Sequence, residues 1–340
     1  MARRLAIAAI AALALTGCSA APQAEQPPSS PDSEPIRVAM LLAGSSDDGG
    51  FMESGYRGLQ RAEQDLGVKI SHVEGVEPEQ KQLEKALRDL GETGVDMIIA
   101  HGGQNSAAAE VVSAEYPQIQ FVVTQSGVKG SNLSSYEVLQ EESAWLAGAA
   151  AGLLTESDVV GHMSGIRPVP GLKGRAAFVD GVKHTNPGAK VLTNFSGDQD
   201  DVALAKKIAL AEIEAGADNI FTMLNAGRPG VAEAMKETGK ARQFGNVRDF
   251  TQDDPEIFVG SAVADSGAAA FSAIEDFVQG DFKPEQSIQI GLENPDAVKL
   301  TLAPDVPENV KKEVGKLSKQ IIEDKIEVKT EYDGPEFEVS

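Results

Sequence analysis

The feature that most constrains the fold is a regular alternation of short apolar segments with longer amphipathic ones from residue 36 onward. Apolar segments of about six residues are typical of strands buried on both faces of a parallel sheet. The segments between them carry apolar residues at three- and four-residue spacing, which predicts helices that pack on such a sheet. The strands are predicted at 36–42, 68–73, 95–100, 119–124, 158–163, 189–195, 218–224, 241–246 and 257–263, and the helices at 51–66, 78–91, 104–115, 141–154, 170–184, 200–215, 229–239 and 266–279. Alternation of this kind predicts βαβ units and an α/β fold.

Two short sequence patterns recur at nearly equal offsets. Residues 67–70 (GVKI) are echoed by residues 188–191 (GAKV), and residues 94–99 (GVDMII) by residues 216–221 (GADNIF). Because a glycine before a strand is also a common helix ending, a shared turn type is the alternative explanation. The repetition favours two similar Rossmann-like lobes, with a ligand crevice between their facing edges.

The N-terminal segment has the layout of an export signal. Two arginines precede an apolar run that is short for a membrane span, and residues 15–18 read LTGC, the bacterial pattern in which the cysteine is lipidated. Cys18 is the only cysteine of the chain, so no intramolecular disulfide can form. Residues 1–17 are therefore predicted to be a lipoprotein signal peptide, and the Pro- and Ser-rich residues 18–35 a flexible tether.

Length and charge narrow the function classes. The number of residues after the tether suits two lobes better than a single core. The first lobe is predicted at 36–138 plus about 256–292, the second at 139–255 plus about 293–328, and a C-terminal tail at 329–340. The formal net charge of −22 repels nucleic acid and anionic lipid headgroups. We expect a monomer that reaches the membrane through its lipid anchor alone and binds no nucleic acid.

The turn after the first strand is the first candidate site. Gly and Ser residues surround Asp47 and Asp48, and Phe51 opens the next helix at the carboxyl end of the strand, where open α/β sheets bind ligands. An aromatic ring beside a carboxylate suggests a flat ligand, stacked by Phe51 and hydrogen-bonded by Asp48. Helix capping by the carboxylates is the competing interpretation.

Other polar turns are expected at the same edges of the two sheets. The HGGQN turn after the third strand offers candidate contacts, and so do the ends of later strands. For each of them the alternative is a turn with a purely structural role or a side chain that is solvated at the surface. The candidates are Gly102, Gln104, Asn105, Gln125, Arg167, Asn225, Asp249 and Asp265.

Motifs of catalysis are missing from the sequence. It contains no P-loop, no G-x-G-x-x-G after a strand, no H-E-x-x-H and no G-x-S-x-G elbow, and its four histidines are not paired at metal-ligand spacing. The sequence therefore predicts a binding protein rather than an enzyme, with neither a cofactor nor a metal.

Several segments together resemble the basic membrane protein, or purine nucleoside receptor, family, the lipoprotein substrate-binding components of ABC importers. The resemblance covers about residues 36–328. It implies a type I periplasmic binding protein fold, in which two lobes joined by a three-strand hinge close on the ligand. It also implies that Asp48 and Phe51 contact a nucleoside. Its carriers are DDGGFMESGYRGL, GVDMIIAHGGQN, EESAWLAGAAAGL, VVGHMSGIRPVPGLKGRAAFVDGV and GADNIFTMLNAGRPGVAEA.

The sequence departs from this family at several positions. Met52 stands where Asn is usual and Gln125 where many members have Asp. Val247 takes the first of two acidic positions, and Ala264 and Asp265 stand where a lysine is usual. Since that lysine and the first acid recognise ribose in nucleoside-binding members, the resemblance implies the planar half of the site more firmly than the sugar half.

The sequence thus predicts a lipid-anchored receptor at the outer face of the cell membrane. It would bind a purine nucleoside or nucleobase-like compound and deliver it to an ABC permease. One alternative is a sensing lipoprotein that presents another small polar or cationic solute to a membrane receptor. A second is an extracytoplasmic nucleoside-processing enzyme, which the missing catalytic constellations disfavour.

Overall fold

A computed structural model describes residues 34–339 of the chain. The predicted signal peptide, the predicted lipidation site Cys18 and nearly all of the predicted tether lie outside the described residues. In chain order the elements are β1 (Arg37–Leu42), α1 (Phe51–Leu66), β2 (Lys69–Val73), α2 (Gln80–Gly91), β3 (Met97–His101), a 3-10 turn (Gly103–Asn105), α3 (Ser106–Ser113), β4 (Gln120–Thr124), β5 (Leu133–Val138), α4 (Gln140–Leu154), β6 (Val159–Ser164), α5 (Val169–Thr185), β7 (Lys190–Phe195), α6 (Val202–Glu214), β8 (Asn219–Met223), α7 (Arg228–Thr238), β9 (Arg242–Val247), β10 (Phe258–Ala264), α8 (Ser266–Gln279), β11 (Ser287–Ile290), β12 (Val298–Leu302) and α9 (Glu308–Ile322).

The strands of residues 34–339 form two six-stranded sheets with equivalent strand orders. The order is β11-β5-β4-β3-β1-β2 in the first sheet and β12-β10-β9-β8-β6-β7 in the second. All neighbours pair in parallel except β10 and β12, which are antiparallel. The predicted α/β class and the two Rossmann-like lobes are confirmed, and the two sequence echoes fall on equivalent strands, β2 with β7 and β3 with β8.

The chain crosses between the two lobes three times. The crossings follow β5, β10 and β11, so the three-strand hinge is confirmed. The strand pairing differs from the predicted division at one point. Residues from about 256 were predicted to lie in the first lobe, but β10 pairs with β9 in the second sheet, and the crossing comes only after Ala264. The following helix, α8, packs on α1 of the first lobe.

Four elements were absent from the sequence prediction: β5, β11, β12 and α9. The reason is clearest for β5, LSSYEV, which looks like a polar loop. Its two serines are buried because their hydroxyls donate to backbone carbonyls, Ser134 to Lys283 O at 2.9 Å and Ser135 to Val128 O at 2.6 Å. These partners, which are distant in the sequence, satisfy the hydrogen-bonding groups of the two serines. The local sequence therefore does not indicate that the segment is a buried strand. Among the helices of residues 34–339, none is long and apolar enough to cross a membrane.

Candidate functional site

The turns that follow β1 and β8 meet where the two sheet edges face each other. Asn225 Nδ2 of the second lobe donates to Asp48 Oδ2 of the first lobe over 3.0 Å. A second link joins Arg228 Nη1 to Gly49 O over 3.5 Å. The approach at Gly50 is so close that a Cβ built there would lie 2.2 Å from Asn225 Oδ1. The structure therefore brings the first candidate turn of the sequence directly against the second lobe.

Asp48 caps helix α1, as the competing interpretation of the sequence predicts, and it also makes a contact with the second lobe. Its carboxylate accepts hydrogen bonds from the backbone N–H groups of Gly50 (2.8 Å), Met52 (3.2 Å) and Glu53 (3.1 Å), which are orphan donors at the start of α1. The same carboxylate also holds Asn225 across the cleft. Burial raises the pKa of the Asp48 carboxyl, while the three backbone hydrogen bonds act in the opposite direction. Asp48 is thus both a helix cap and a cleft residue.

Phe51 is the first residue of α1, and its ring is held by a neighbouring histidine. The rings of Phe51 and His101 stack with their centroids 4.3 Å apart and their planes 23° from parallel. Phe51 is half-buried, whereas His101 is fully buried at the end of β3. The stack covers one face of the Phe51 ring with imidazole, three residues after Asp48 at the start of α1.

A hydrogen-bonded chain fixes the orientation of His101. The Gly102 N–H donates to Thr124 Oγ1 (2.9 Å), and the Thr124 hydroxyl lies 2.9 Å from His101 Nδ1. His101 Nε2 lies 3.0 Å from the Phe51 carbonyl, which can only accept, so Nε2 carries the proton and Nδ1 accepts from Thr124. Burial lowers the pKa of His101 to about 4, and the ring is neutral near pH 7.

His101 was not among the predicted site residues. The signal for it was present in the sequence, because β1 and β3 end side by side and a histidine at the end of one faces an aromatic residue after the other. His101 matters because its ring stacks on Phe51. The two rings meet because β1 and β3 are neighbours in the sheet, which neither turn reveals by itself.

The remainder of the HGGQN turn surrounds this ring pair. Asn105 is buried, and its Nδ2 donates to His101 O (2.8 Å) and Gly102 O (3.1 Å). Its Oδ1 is buried without a hydrogen-bond partner among residues 34–339. Gln104 is exposed, and its Nε2 lies 3.5 Å from His101 O. The turn therefore supports the His101 ring on which Phe51 stacks, and the side-chain amide of Gln104 faces solvent.

Gln125 has a different role from the predicted ligand contact. Its Nε2 donates to Val138 O (3.1 Å), and its Oε1 accepts from the Val138 N–H (2.5 Å). Gln125 also adopts a positive φ of 55°. Its side chain is therefore committed to the backbone at the end of β5, where the chain leaves the first lobe, and it acts as a hinge brace.

The predicted acidic contacts of the later strands also have local partners. Asp249 Oδ1 accepts from the Thr251 N–H (2.8 Å) and the Thr251 hydroxyl (2.7 Å). Asp265 Oδ1 caps α8 through the Gly267 N–H (3.0 Å) and accepts from the Ser54 hydroxyl (2.8 Å). Asp249 thus shapes its own turn, and Asp265 braces α8 against α1 at the hinge.

Two arginines of the second lobe have contrasting positions. Arg167, a predicted contact, pairs with Glu336 of the C-terminal tail. Arg228, which the sequence analysis missed, is buried at the start of α7, donates to Asn246 Oδ1 (2.7 Å), and lies 4.3 Å from the centroid of Phe250. Burial lowers the pKa of Arg228 to about 9. The cleft thus receives a carboxylate and a ring from the first lobe, and an amide and a buried cation from the second.

Within residues 34–339 there is no group of three or more His, Cys, Asp or Glu side chains arranged to hold a metal ion. The chemistry on offer is stacking and hydrogen bonding between facing lobes. Two α/β lobes with three crossings and a polar cleft define a solute-binding protein of the type I periplasmic fold.

Comparison with known proteins identifies the family. Residues 36–331 match the Bmp family, described as ABC transporter substrate-binding protein PnrA-like. The chain belongs to this family. Its members are substrate-binding proteins of ABC transporters, which bind small molecules and interact with membrane permeases.

Individual relatives are distant in sequence. Basic membrane protein B of Borrelia garinii subsp. bavariensis is 26% identical over 83% of this chain and 84% of its own length. Transcriptional activator protein med of Bacillus subtilis is 25% identical over 60% of this chain, and the match spans 63% of the activator's length. A solute-binding protein structure from Aeropyrum pernix K1 superposes with a TM-score of 0.77 at 20% identity, over 88% of this chain and 94% of that one.

Proposed function

We propose that this chain is a lipid-anchored receptor that binds a purine nucleobase or nucleoside-like compound between its lobes and delivers it to an ABC permease. The observation that carries the proposal is the Phe51 ring, stacked on neutral His101 beside the Asp48 carboxylate. A ring that is already backed by another ring offers a rigid, flat surface at little cost in conformational entropy. A planar heterocycle fits that surface better than a sugar does.

The polar groups beside the ring suit the edge of such a heterocycle. Asp48 accepts hydrogen bonds from N–H groups, and Asn225 both donates and accepts. Their mutual hydrogen bond at 3.0 Å shows that both side chains reach the same point between the lobes. A base that inserts there can exchange this direct bond for one bond to each side chain, and so link the lobes.

Closure of the lobes is the proposed mechanism. The Asp48–Asn225 and Gly49–Arg228 contacts join the lobes directly, and a ligand that touches both edges favours this closed arrangement over an open one. The permease then distinguishes loaded from empty receptor by its shape. The ligand shifts the equilibrium only as far as its affinities for the two states differ.

Recognition is expected to concentrate on the planar half of the ligand. Asp265 is already engaged by α8 and Ser54, and Val247 offers no polar atom where the family resemblance leads one to expect an acid. Val247 also has a φ of 71°, an unusual conformation for a β-branched residue. We therefore propose that nucleobases bind about as well as their nucleosides.

Calorimetry with adenine, adenosine, guanine, guanosine and hypoxanthine tests the proposal, with ribose and spermidine as non-planar controls. Phe51→Ala should weaken binding of the best ligand by about 1–3 kcal/mol, because the stacking surface is lost. Phe271→Ala is the matched control, since that half-buried ring lies on α8 and packs on Arg61 at 4.1 Å. Equal affinity of the Phe51→Ala and wild-type proteins would remove the ring from the site, and preference for spermidine would favour a cation receptor.

Membrane attachment through Cys18 is a separate part of the proposal. The support is the LTGC pattern followed by a Pro- and Ser-rich tether. Cys18→Ser should move the protein from the membrane fraction to the soluble fraction of cells that export it. Retention of the variant in washed membranes would show that another contact anchors the chain.

A sensing role is the second candidate function. It is favoured by the similarity to a Bacillus subtilis protein named as a transcriptional activator. The same closure would then be read by a membrane receptor. Ligand uptake by cells that lack the protein separates the two roles, because a transport receptor is required for high-affinity uptake whereas a sensor changes gene expression only.

A further inference from the structure

The C-terminal segment Lys329–Val339 lies across the second lobe and ends on a sheet edge. Lys329 Nζ pairs with Asp180 of α5 at 2.7 Å. Farther along, the Phe337 N–H donates to Thr193 O (2.7 Å), and Asn194 Nδ2 donates to Phe337 O (3.0 Å). Since β7 is the outermost strand of its sheet, this segment covers backbone groups that would otherwise remain unpaired.

Between these two attachments the segment places a carboxylate on two arginines. Glu336 Oε1 accepts from Arg167 Nη1 (2.7 Å) and Arg175 Nη1 (2.8 Å), and Oε2 accepts from Arg167 Nη2. Two N–H groups of Arg167 therefore meet both oxygens of one carboxylate, the geometry that guanidinium groups recognise best. The bond from Arg167 also lowers the pKa of Glu336.

The arginine pair has the construction of a receptor for an anion. The Arg175 side chain is only 8% exposed, and both guanidinium groups lie over the Phe195 ring, at 4.4 Å for Arg167 and 4.9 Å for Arg175. Two neighbouring cations repel each other, and a buried guanidinium without a counter-charge is costly. His162, whose ring centroid lies 5.9 Å from that of Phe195, adds no further charge near pH 7, because burial and Arg175 lower its pKa. A carboxylate is the group that this site lacks without Glu336.

The position of Arg167 connects this site to the cleft. Arg167 lies in the loop between β6 and α5, at the same carboxyl edge of the second sheet as Asn225. Glu336 thus ties a cleft-edge loop to α5 through one carboxylate. Glu336 also lies beyond the family match, which ends at residue 331.

We propose that Arg167, Arg175 and the β7 edge form a binding site for an extended acidic peptide, that residues 332–339 of the chain itself are its occupant, and that this strap holds the loop at residues 165–168 in place. Glu336 supplies the specific charge, and the backbone of Phe337 supplies the pairing to β7. Phe337 and Val339 also pack, partly buried, against the apolar core of the lobe. The proposal does not depend on which solute the cleft binds.

Hydrogen exchange of the full-length protein tests the strap directly. The amide of Phe337 reports docking, because it is the group that donates to Thr193, and the amides of residues 164–167 report the loop. Glu336→Gln should accelerate exchange of the Phe337 amide at least about tenfold, since a neutral amide cannot replace the carboxylate between two guanidinium groups. Exchange at residues 164–167 should rise in the same variant.

Glu338→Gln is the matched control, because it removes the same charge from an exposed neighbour in the strap. Arg175→Met should reproduce the effect of Glu336→Gln from the receptor side while keeping an apolar stem on Phe195. Equal acceleration by Glu336→Gln and Glu338→Gln would overturn the site, since it would reduce the effect to net charge. Unchanged exchange at residues 164–167 in a variant whose Phe337 amide exchanges faster would overturn the restraint on the loop.

Discussion

The two lobes share one backbone plan but present opposite chemistry to the cleft. In each lobe an aspartate before the third strand of the sheet ties down the chain that enters its first strand. Asp96 Oδ2 accepts from the Arg37 N–H (2.8 Å) in the first lobe. Asp218 Oδ2 accepts from the Glu156 N–H (2.7 Å), the Ser157 N–H (2.9 Å) and the Thr155 hydroxyl (3.1 Å) in the second.

At the facing edges the likeness ends. The first lobe offers the Asp48 carboxylate and the Phe51 ring, both held by groups of their own lobe. The second lobe offers Asn225 and the guanidinium group of Arg228, whereas the guanidinium group of Arg167 is held by Glu336. The comparison teaches that backbone anchors preserve a duplicated plan, whereas the turns after the strands are free to diverge because they carry little of the fold.

The two anchoring aspartates predict the largest difference between the lobes. Asp218→Ala removes four hydrogen bonds to a carboxylate, three of them from the chain that enters β6, and should lower the free energy of unfolding by about 3 kcal/mol. Asp96→Ala removes one and should cost about 1 kcal/mol. Chemical denaturation of both variants measures the difference. Equal losses would break the comparison, because they would show that the number of accepted bonds does not set the strength of the anchor.

A buried acid in the second lobe predicts the next effect. Glu212 on α6 is fully buried and neither carboxyl oxygen has a hydrogen-bond partner among residues 34–339, whereas Leu90 occupies the equivalent place in the first lobe, at the offset that relates Gly94 to Gly216. Glu212→Leu should raise the free energy of unfolding by about 1–3 kcal/mol near pH 8, since it removes an unsatisfied polar group.

The pH dependence gives the sign of this effect. Burial raises the pKa of Glu212 well above its ordinary value. The stability that comes from proton uptake is therefore fully present below the unfolded pKa and is lost as the pH rises through the folded one. The advantage of Glu212→Leu should grow from pH 5 to pH 8 in thermal melts. Glu214→Gln, on the exposed side of the same helix, should show no such trend, and a flat difference for Glu212→Leu would contradict the buried, protonated acid.

The contact between the lobes predicts the smallest effect. Gly50→Ala places a methyl group against the Asn225 side chain and displaces the amide that the proposal assigns to the ligand, which should weaken ligand binding about tenfold. Asn225→Ala should cost a similar amount alone and add little in the double variant, because both changes remove the same hydrogen bond between Asn225 and the ligand. Calorimetry with the best ligand of the nucleobase screen measures this cycle, and full additivity would show that the two residues act separately.

The fold was largely predictable because its signals are local and repeated. Apolar runs and amphipathic helices gave the alternation, and the echoes pointed to two lobes before any strand pairing was known. The prediction failed where pairing decided the structure. The polar strand β5 is stabilised by carbonyls from distant segments, and β10 joins the second sheet through β9 although it precedes a helix of the first lobe.

The site was predictable in part for the same reason. Asp48 and Phe51 stand in one turn, and a carboxylate at a helix start beside a ring is visible in the sequence. Gln125 looked like a contact because it ends a strand at the correct edge, but its side chain turns to the Val138 backbone. The HGGQN turn was predicted as a site, but neither the His101 side chain nor Arg228 was named as a contact, because the role of each depends on partners from other segments.

The sequence by itself determined the α/β class, the duplication, the negative charge and the turn that carries Asp48 and Phe51. Each of these follows from local periodicity, composition or capping chemistry, which act over a few neighbouring residues. Tertiary structure alone decided which sheet received β10, which face of Phe51 is covered by His101, and which carboxylate fills the arginine pair. These outcomes depend on burial and hydrogen bonding between residues far apart in the chain. Such interactions form only when the chain has folded and its distant segments are in contact.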